Sequence, residues 1–298
     1  MVAEGTTVSL VLGSGGARGL VHIGIINWLE EQGYRIVSIA GCSMGALVGG
    51  FYALGKLDQF ADWVVGLSAV ELFKLMDFTL AQGGLLKGDK IINALTELAG
   101  DALIEELAIS YTAVAADISN EKEVWIQQGS LFEAIRASIS LPLLFTPVER
   151  LGVQLLDGGV LNPVPIAPTF GDHSELTIAV NLAGSPDPLL AAVADNSTGS
   201  VPVAQRSALG LKMLQLVNSL SPAAGVSSSL SMYRVADQAF DAMQGTIARQ
   251  KLAAYPPDIL LEVPRNLCGT LEFDRAEELI AYGYDLAARS LAGSTEQH

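Results

Sequence analysis

Residues 36–55 run for twenty positions without a charge, and this run constrains the fold more than any other feature. Its length suits a membrane-crossing helix, but its residue order does not. β-Branched Ile36, Val37 and Ile39 predict a short strand, Gly41 a turn, and the small residues from 44 to 54 a buried helix. A similar unit comes before it. Thr7–Leu12 reads as a buried strand, Gly13-Ser14-Gly15-Gly16 as a tight loop, and residues 17 to about 32 as a helix ended by Gly33. Two strand-to-helix units in succession imply parallel strands joined by crossovers, hence an α/β fold.

Further along, the pattern predicts helices over 60–67, 70–76, 89–98 and 132–138, and strands over 111–116, 123–127, 153–156 and 176–182. The last of these reads as the final clear strand of the main sheet. From 183 to 203 the composition shifts to Gly, Ser, Pro, Asp and Ala, as in a linker or mobile loop. Helices over 204–220 and 227–253, a strand over 259–263 and a closing helix over 274–291 follow. The expected organisation is a catalytic core over 1–182, then a linker or lid loop and a C-terminal helical segment over 183–298, packed on the same domain.

Half the residues are apolar and 16% are charged, so a large core is available. The formal charge of −15 argues against a nucleic-acid partner and against strong attraction to anionic lipid. Two cysteines cannot make a disulfide framework, and the N-terminus lacks a signal-peptide pattern, so the expected location is cytoplasmic. No transmembrane segment is expected. Neither a metal nor another cofactor is expected, because no His, Cys or Asp cluster has ligand spacing.

Gly41-Cys42-Ser43-Met44-Gly45 stands where the strand turns into the helix. Glycines on both sides let the chain turn abruptly and leave the Ser43 hydroxyl at the tip, with the helix N-terminus behind it. A serine so placed needs a base. The histidines are His22, His173 and His298: the first falls inside a helix, where a core or capping role is the commoner one, the second in a polar turn, and the third at position 298. Asp157 is the better candidate, because it follows an apolar strand and precedes Gly158-Gly159. As ends of strands in one parallel sheet, Ser43 and Asp157 would meet at its carboxyl edge. The other reading of Asp157 is a turn aspartate capping its own backbone.

The loop Gly13-Ser14-Gly15-Gly16-Ala17-Arg18-Gly19 ends a strand at the same edge. Exposed N–H groups there suit an anion, either a phosphate or an oxyanion. The dinucleotide fingerprint fails, since Arg18 stands where its third glycine belongs, and no Walker ending is present. Arg18 can orient the loop, attract a substrate phosphate, or make a structural ion pair.

Together these motifs resemble the patatin-like phospholipases. The similarity lies in Ser14-Gly15-Gly16-Ala17-Arg18-Gly19, in Gly41-Cys42-Ser43-Met44-Gly45 and in Asp157-Gly158-Gly159, in that order. It extends to Ala137-Ser138-Ile139-Ser140-Leu141-Pro142 and Asn162-Pro163-Val164-Pro165, and covers roughly residues 7 to 182. Ser14 departs from the pattern, which has glycine there. The resemblance implies a three-layer α/β/α fold with a mainly parallel central sheet plus C-terminal helices. It also implies a Ser43 nucleophile, an Asp157 base and an oxyanion hole at Gly15, Gly16 and Ala17.

The function so implied is that of a serine lipid acyl hydrolase of phospholipase A or lysophospholipase type, working on a lipid or ester substrate with transient contact to a membrane surface. A soluble short-chain esterase or thioesterase is the alternative, and a non-catalytic lipid sensor on the same fold is a second. Leu209, Met213, Leu216 and Leu220 form one apolar helix stripe, suited to core packing or to a lid. Oligomeric state is not legible.

Overall fold

A computed structural model of the chain describes residues 5–79, 84–190 and 226–292. In chain order its strands are β1 (Thr7–Leu12), β2 (Arg35–Cys42), β3 (Gly84–Leu86), β4 (Ser110–Asp117), β5 (Lys122–Ile126), β6 (Leu143–Phe145), β7 (Val148–Arg150), β8 (Val153–Asp157), β9 (Leu176–Gly184) and β10 (Ile259–Pro264). The helices are α1 (Val21–Glu31), α2 (Met44–Ala53), α3 (Leu57–Gly66), α4 (Ala69–Lys74), α5 (Asp89–Ala99), α6 (Leu131–Ser138), α7 (Val226–Ala254) and α8 (Ala276–Ala292).

An eight-stranded sheet runs β10-β9-β1-β2-β4-β8-β7, with β5 also on β4. From β10 to β4 all neighbours are parallel. Such strands are covered on both faces and need continuous apolar sequence, and five of the six β1 residues are buried. The uncharged run becomes β2, a turn and α2, and every α2 residue but Tyr52 is buried. No helix among the described residues is long and apolar enough to cross a membrane. A short separate sheet pairs β3 with β6.

Two expectations need correction. The sheet does not end at β9, because β10 adds a further parallel strand beyond it, Leu261 opposite Val180. And β8 is not parallel: it runs antiparallel to β4, with Asp157 opposite Ala115. The reason lies in how β4 is shared. Ala113 and Val114 pair with both β2 and β5, whereas 115–117 pair with both β5 and β8. β2 and β8 therefore occupy the same edge of β4 and meet carboxyl end to carboxyl end.

The first helix is also shorter than its pattern. Residues Gly16–Leu20 form a 3-10 turn, and α1 begins at Val21. Gly16 is left-handed at φ 55°, and the Ala17 N–H donates to the Thr270 carbonyl, so the first turn bonds outward. α1 then crosses α8 closely, where a Cβ on Gly24 would collide with the Ile280 carbonyl and one on Gly283 with that of Val21. The predicted helix over 204–220, with its Leu209, Met213, Leu216 and Leu220 stripe, lies outside the described residues.

Candidate active site

Ser43 closes β2 and precedes α2 with φ 55° and ψ −124°, a backbone conformation that side chains rarely adopt. Its surroundings enforce this. A Cβ on Gly45 would strike the Leu12 carbonyl, and one on Gly41 would stand 2.6 Å from Ala46 N. The Ser43 N–H donates to Ser138 Oγ at 3.0 Å, and the Ser138 hydroxyl donates to the Val114 carbonyl at 2.7 Å. The end of α6 thus ties the serine turn to β4.

Asp157 is fully buried. Its N–H donates to the Ser140 carbonyl at 2.9 Å. Oδ1 accepts from the Gly159 N–H at 2.8 Å and from the Cys42 thiol at 3.8 Å. Oδ2 is buried without a hydrogen-bond partner, and the neighbouring Ser43 hydroxyl favours the charged form of the carboxylate. Burial raises the Asp157 pKa to about 6, against the pull of Ser43, Gly159 and Cys42, each of which favours the charged form.

The glycine loop lies beside this pair. Its Gly13, Ser14 and Ala17 N–H groups donate to the carbonyls of Val180, Pro163 and Thr270. The N–H groups of Gly15 and Gly16 have no partner among the described residues, and Gly16 shares a pocket wall with Ser43. Arg18 is buried. Its guanidinium donates to the carbonyls of Arg265 and Cys268 and pairs with Asp241 of α7 at 3.1 Å.

The histidines lie elsewhere. His22 is fully buried with Nε2 3.0 Å from the Gly13 carbonyl, and burial lowers its pKa to about 4, so it is neutral and donates through Nε2. His173 is exposed in the turn before β9, next to Asp172, which accepts from Ser9 near the start of β1. That is the end of the sheet away from Ser43. Among the described residues no group of three or more His, Cys, Asp or Glu side chains could hold a metal ion.

Met44 and Ser43 open onto an apolar pocket. Leu47 of α2, Phe60 of α3, Leu86 of β3, Leu95 of α5 and Leu144 of β6 line it, and Thr270, Leu271 and Phe273 close it from the segment between β10 and α8. Sequence reasoning missed that segment and also Gln244 of α7, which is buried against Ser14. The only signal for Gln244 is a polar residue on the inner face of a long helix, which no motif marks.

Fold, serine turn and glycine loop together define a class, and the sequence comparisons give the same one. Residues 10–170 match the family model for patatin-like phospholipases, and the chain belongs to that family. Over 95% of its length it is 40% identical to an uncharacterized NTE family protein of Mycobacterium tuberculosis, of which it covers 91%. It is 28% identical to lysophospholipase NTE1 of Pyricularia oryzae over 94% of the chain, but covers only 18% of that longer protein. VipD from Legionella pneumophila, a solved structure, aligns with 97% of this chain and 67% of its own at a TM-score of 0.46 and 15% identity.

Proposed function

We propose that the chain is a serine lipid acyl hydrolase that cleaves carboxylic esters of phospholipid or lysophospholipid. One observation carries the reading: β2 and β8 meet end to end, which brings buried Asp157 to the turn that holds Ser43, and Ser43 lines an apolar pocket. Asp157 takes the Ser43 proton as Oγ attacks the acyl carbonyl. The N–H groups of Gly15 and Gly16 receive the oxyanion, the Ala17 N–H being held by Thr270. The proton then passes to the departing alkoxide, leaving an acyl-serine. Water, deprotonated by Asp157, hydrolyses it by the same route. Arg18 holds the loop from behind, its guanidinium being engaged by the Arg265 and Cys268 carbonyls and by Asp241. The names of the lysophospholipase relatives support a lipid ester, and so does the leucine and phenylalanine lining of the pocket.

Two variants and a probe test this. Ser43→Ala and Asp157→Ala should each lower kcat/KM for a p-nitrophenyl ester by about a thousandfold or more. A fluorophosphonate should label Ser43 in the folded protein. Near-normal turnover by Asp157→Ala, or no adduct at Ser43, refutes the dyad. Fatty-acid release from lysophospholipid that outpaces short-chain ester cleavage supports the lipid assignment. The opposite order makes the chain a soluble short-chain esterase.

A further inference from the structure

We propose that Arg136 is a positioning residue for the acyl chain: it fastens the pocket wall built by β3 and β6 to the end of α6, and so gives the pocket its preference for long chains. The inference rests on the reading of the pocket as an acyl site and adds to it a residue that touches no substrate.

On its own the wall is weakly held. β3 and β6 have three residues each and form a two-stranded sheet apart from the main one. So small a ribbon is marginal in water. Its Leu86 and Leu144 pack with Met76 in a cluster separate from the main core, and with Leu141 and Phe145 they line the pocket. β6 also starts from a strained residue, Leu143, at φ 68° and more than half exposed.

Arg136 supplies a hold from outside the ribbon. It lies in the last turn of α6 and is buried. One arm of its guanidinium, Nη2, donates to the carbonyl of Lys87, the residue after β3. The same nitrogen donates to the carbonyl and the hydroxyl of Thr146, the residue after β6, at 3.1 and 3.2 Å. The other arm, Nη1, donates to Ser140 Oγ at 2.7 Å, and that hydroxyl donates back to the Arg136 carbonyl at 2.8 Å. Ser140 in turn accepts the Asp157 N–H through its own carbonyl. Both strand ends are therefore held to the turn on which Asp157 rests. A planar fork can span these partners, whereas an ammonium is a single point.

Room for the fork is built into the chain. Gly88 has φ 81°, and a Cβ there would lie 2.8 Å from Arg136 Nε and 3.1 Å from Phe145 Cδ1. The guanidinium carbon stands 5.7 Å from the centre of the Phe145 ring, so a side chain of the wall packs on the cation as well. Nε is buried without a partner. Burial draws the Arg136 pKa below its usual value, while Asp89 and Asp77 favour the charge. A buried cation with one unmet N–H costs free energy that an apolar side chain would not, so what the position supplies is its hydrogen bonds.

The ratio of kcat/KM for p-nitrophenyl decanoate to that for p-nitrophenyl acetate, measured on the whole chain, tests this. The parent should prefer decanoate, because each methylene buried in the pocket adds severalfold. Arg136→Met keeps an unbranched side chain but no donors, and should lower the ratio by about tenfold. Arg136→Lys, which keeps the charge and can reach one carbonyl, should lower it less. Thr146→Val removes one acceptor and should lower it by roughly two- to threefold. A merely structural role would lower both esters by one factor, together with the fraction of chains that a fluorophosphonate labels, and leave the ratio unmoved. An unmoved ratio in Arg136→Met overturns the inference. Where that variant is recovered unfolded, unmoved ratios in Arg136→Lys and Thr146→Val overturn it instead. A parent with no preference for decanoate overturns the acyl reading of the pocket and this inference together, whereas a preference that all the variants keep overturns this inference alone.

Discussion

Burial acts in opposite directions on Asp157 and His22, because one is charged when it loses a proton and the other when it gains one. Asp157 titrates near 6 in the fold, raised from 3.8, so between those values the folded chain holds a proton that the unfolded chain has lost. Its contribution to stability falls as pH rises through that window, and above it the ionised group costs on the order of 3 kcal/mol. Asp157→Asn should therefore melt at a higher temperature than the parent at pH 8, with the gain gone by about pH 4. His22 does the reverse. Its pKa drops from 6.5 to about 4, so stability present above 6.5 is lost as acid charges the unfolded imidazole first. From these two groups the parent's stability is nearly level across the shared window. The Asp157→Asn variant, which keeps only the His22 slope, should lose stability on acidification more steeply than the parent, and His22→Gln should lose it less. Thermal scans from pH 8 to pH 4 check all three. If Asp157 is the base, as proposed, activity should fall below an apparent midpoint near 6, because a base works only when ionised.

Where helices and strands meet, backbone contact decides more than propensity. In α1 and α8 a Gly→Ala change normally gains up to about 1 kcal/mol of helix propensity. At Gly24 and Gly283 the added methyl would run into a carbonyl of the partner helix. Overpacking of that kind costs about 1–3 kcal/mol, so Gly24→Ala and Gly283→Ala should each lower the denaturant midpoint. On the pocket side, Leu95 of α5 is fully buried and lines the cavity with Phe60 and Leu86. If the pocket takes an acyl tail, as proposed, Leu95→Trp should reduce turnover of long-chain p-nitrophenyl esters by about tenfold relative to short-chain ones, by filling that space. Much of this was legible in sequence. The uncharged run fixed β2 and α2 through strand and helix periodicity, and the Asp157-Gly158-Gly159 ending fixed where β8 stops. The direction of β8 was not legible, because a five-residue strand carries no mark of which neighbour it pairs with. Nor was the delayed start of α1, set by a bond from Ala17 to Thr270 far along the chain. Gln244 was invisible for the same reason: its partner is Ser14, and no periodicity relates them.

At the scale of the whole molecule, the segments after residue 226 are part of the same body as the motifs before residue 182. β10 pairs with β9, α8 packs on α1, and the Arg265, Cys268 and Thr270 carbonyls hold the glycine loop. A chain ending at Gly184 should therefore fail to fold even though it contains every named motif. Circular dichroism and recovery in the soluble fraction check this. The bond from Ala17 to the Thr270 carbonyl has a consequence for biosynthesis. On a translating ribosome, Ser43, Asp157 and the glycine loop all emerge well before Thr270 does. Until that carbonyl arrives, Ala17 lacks the partner that holds the loop's first turn, so under the proposed function a growing polypeptide would carry its site unfinished.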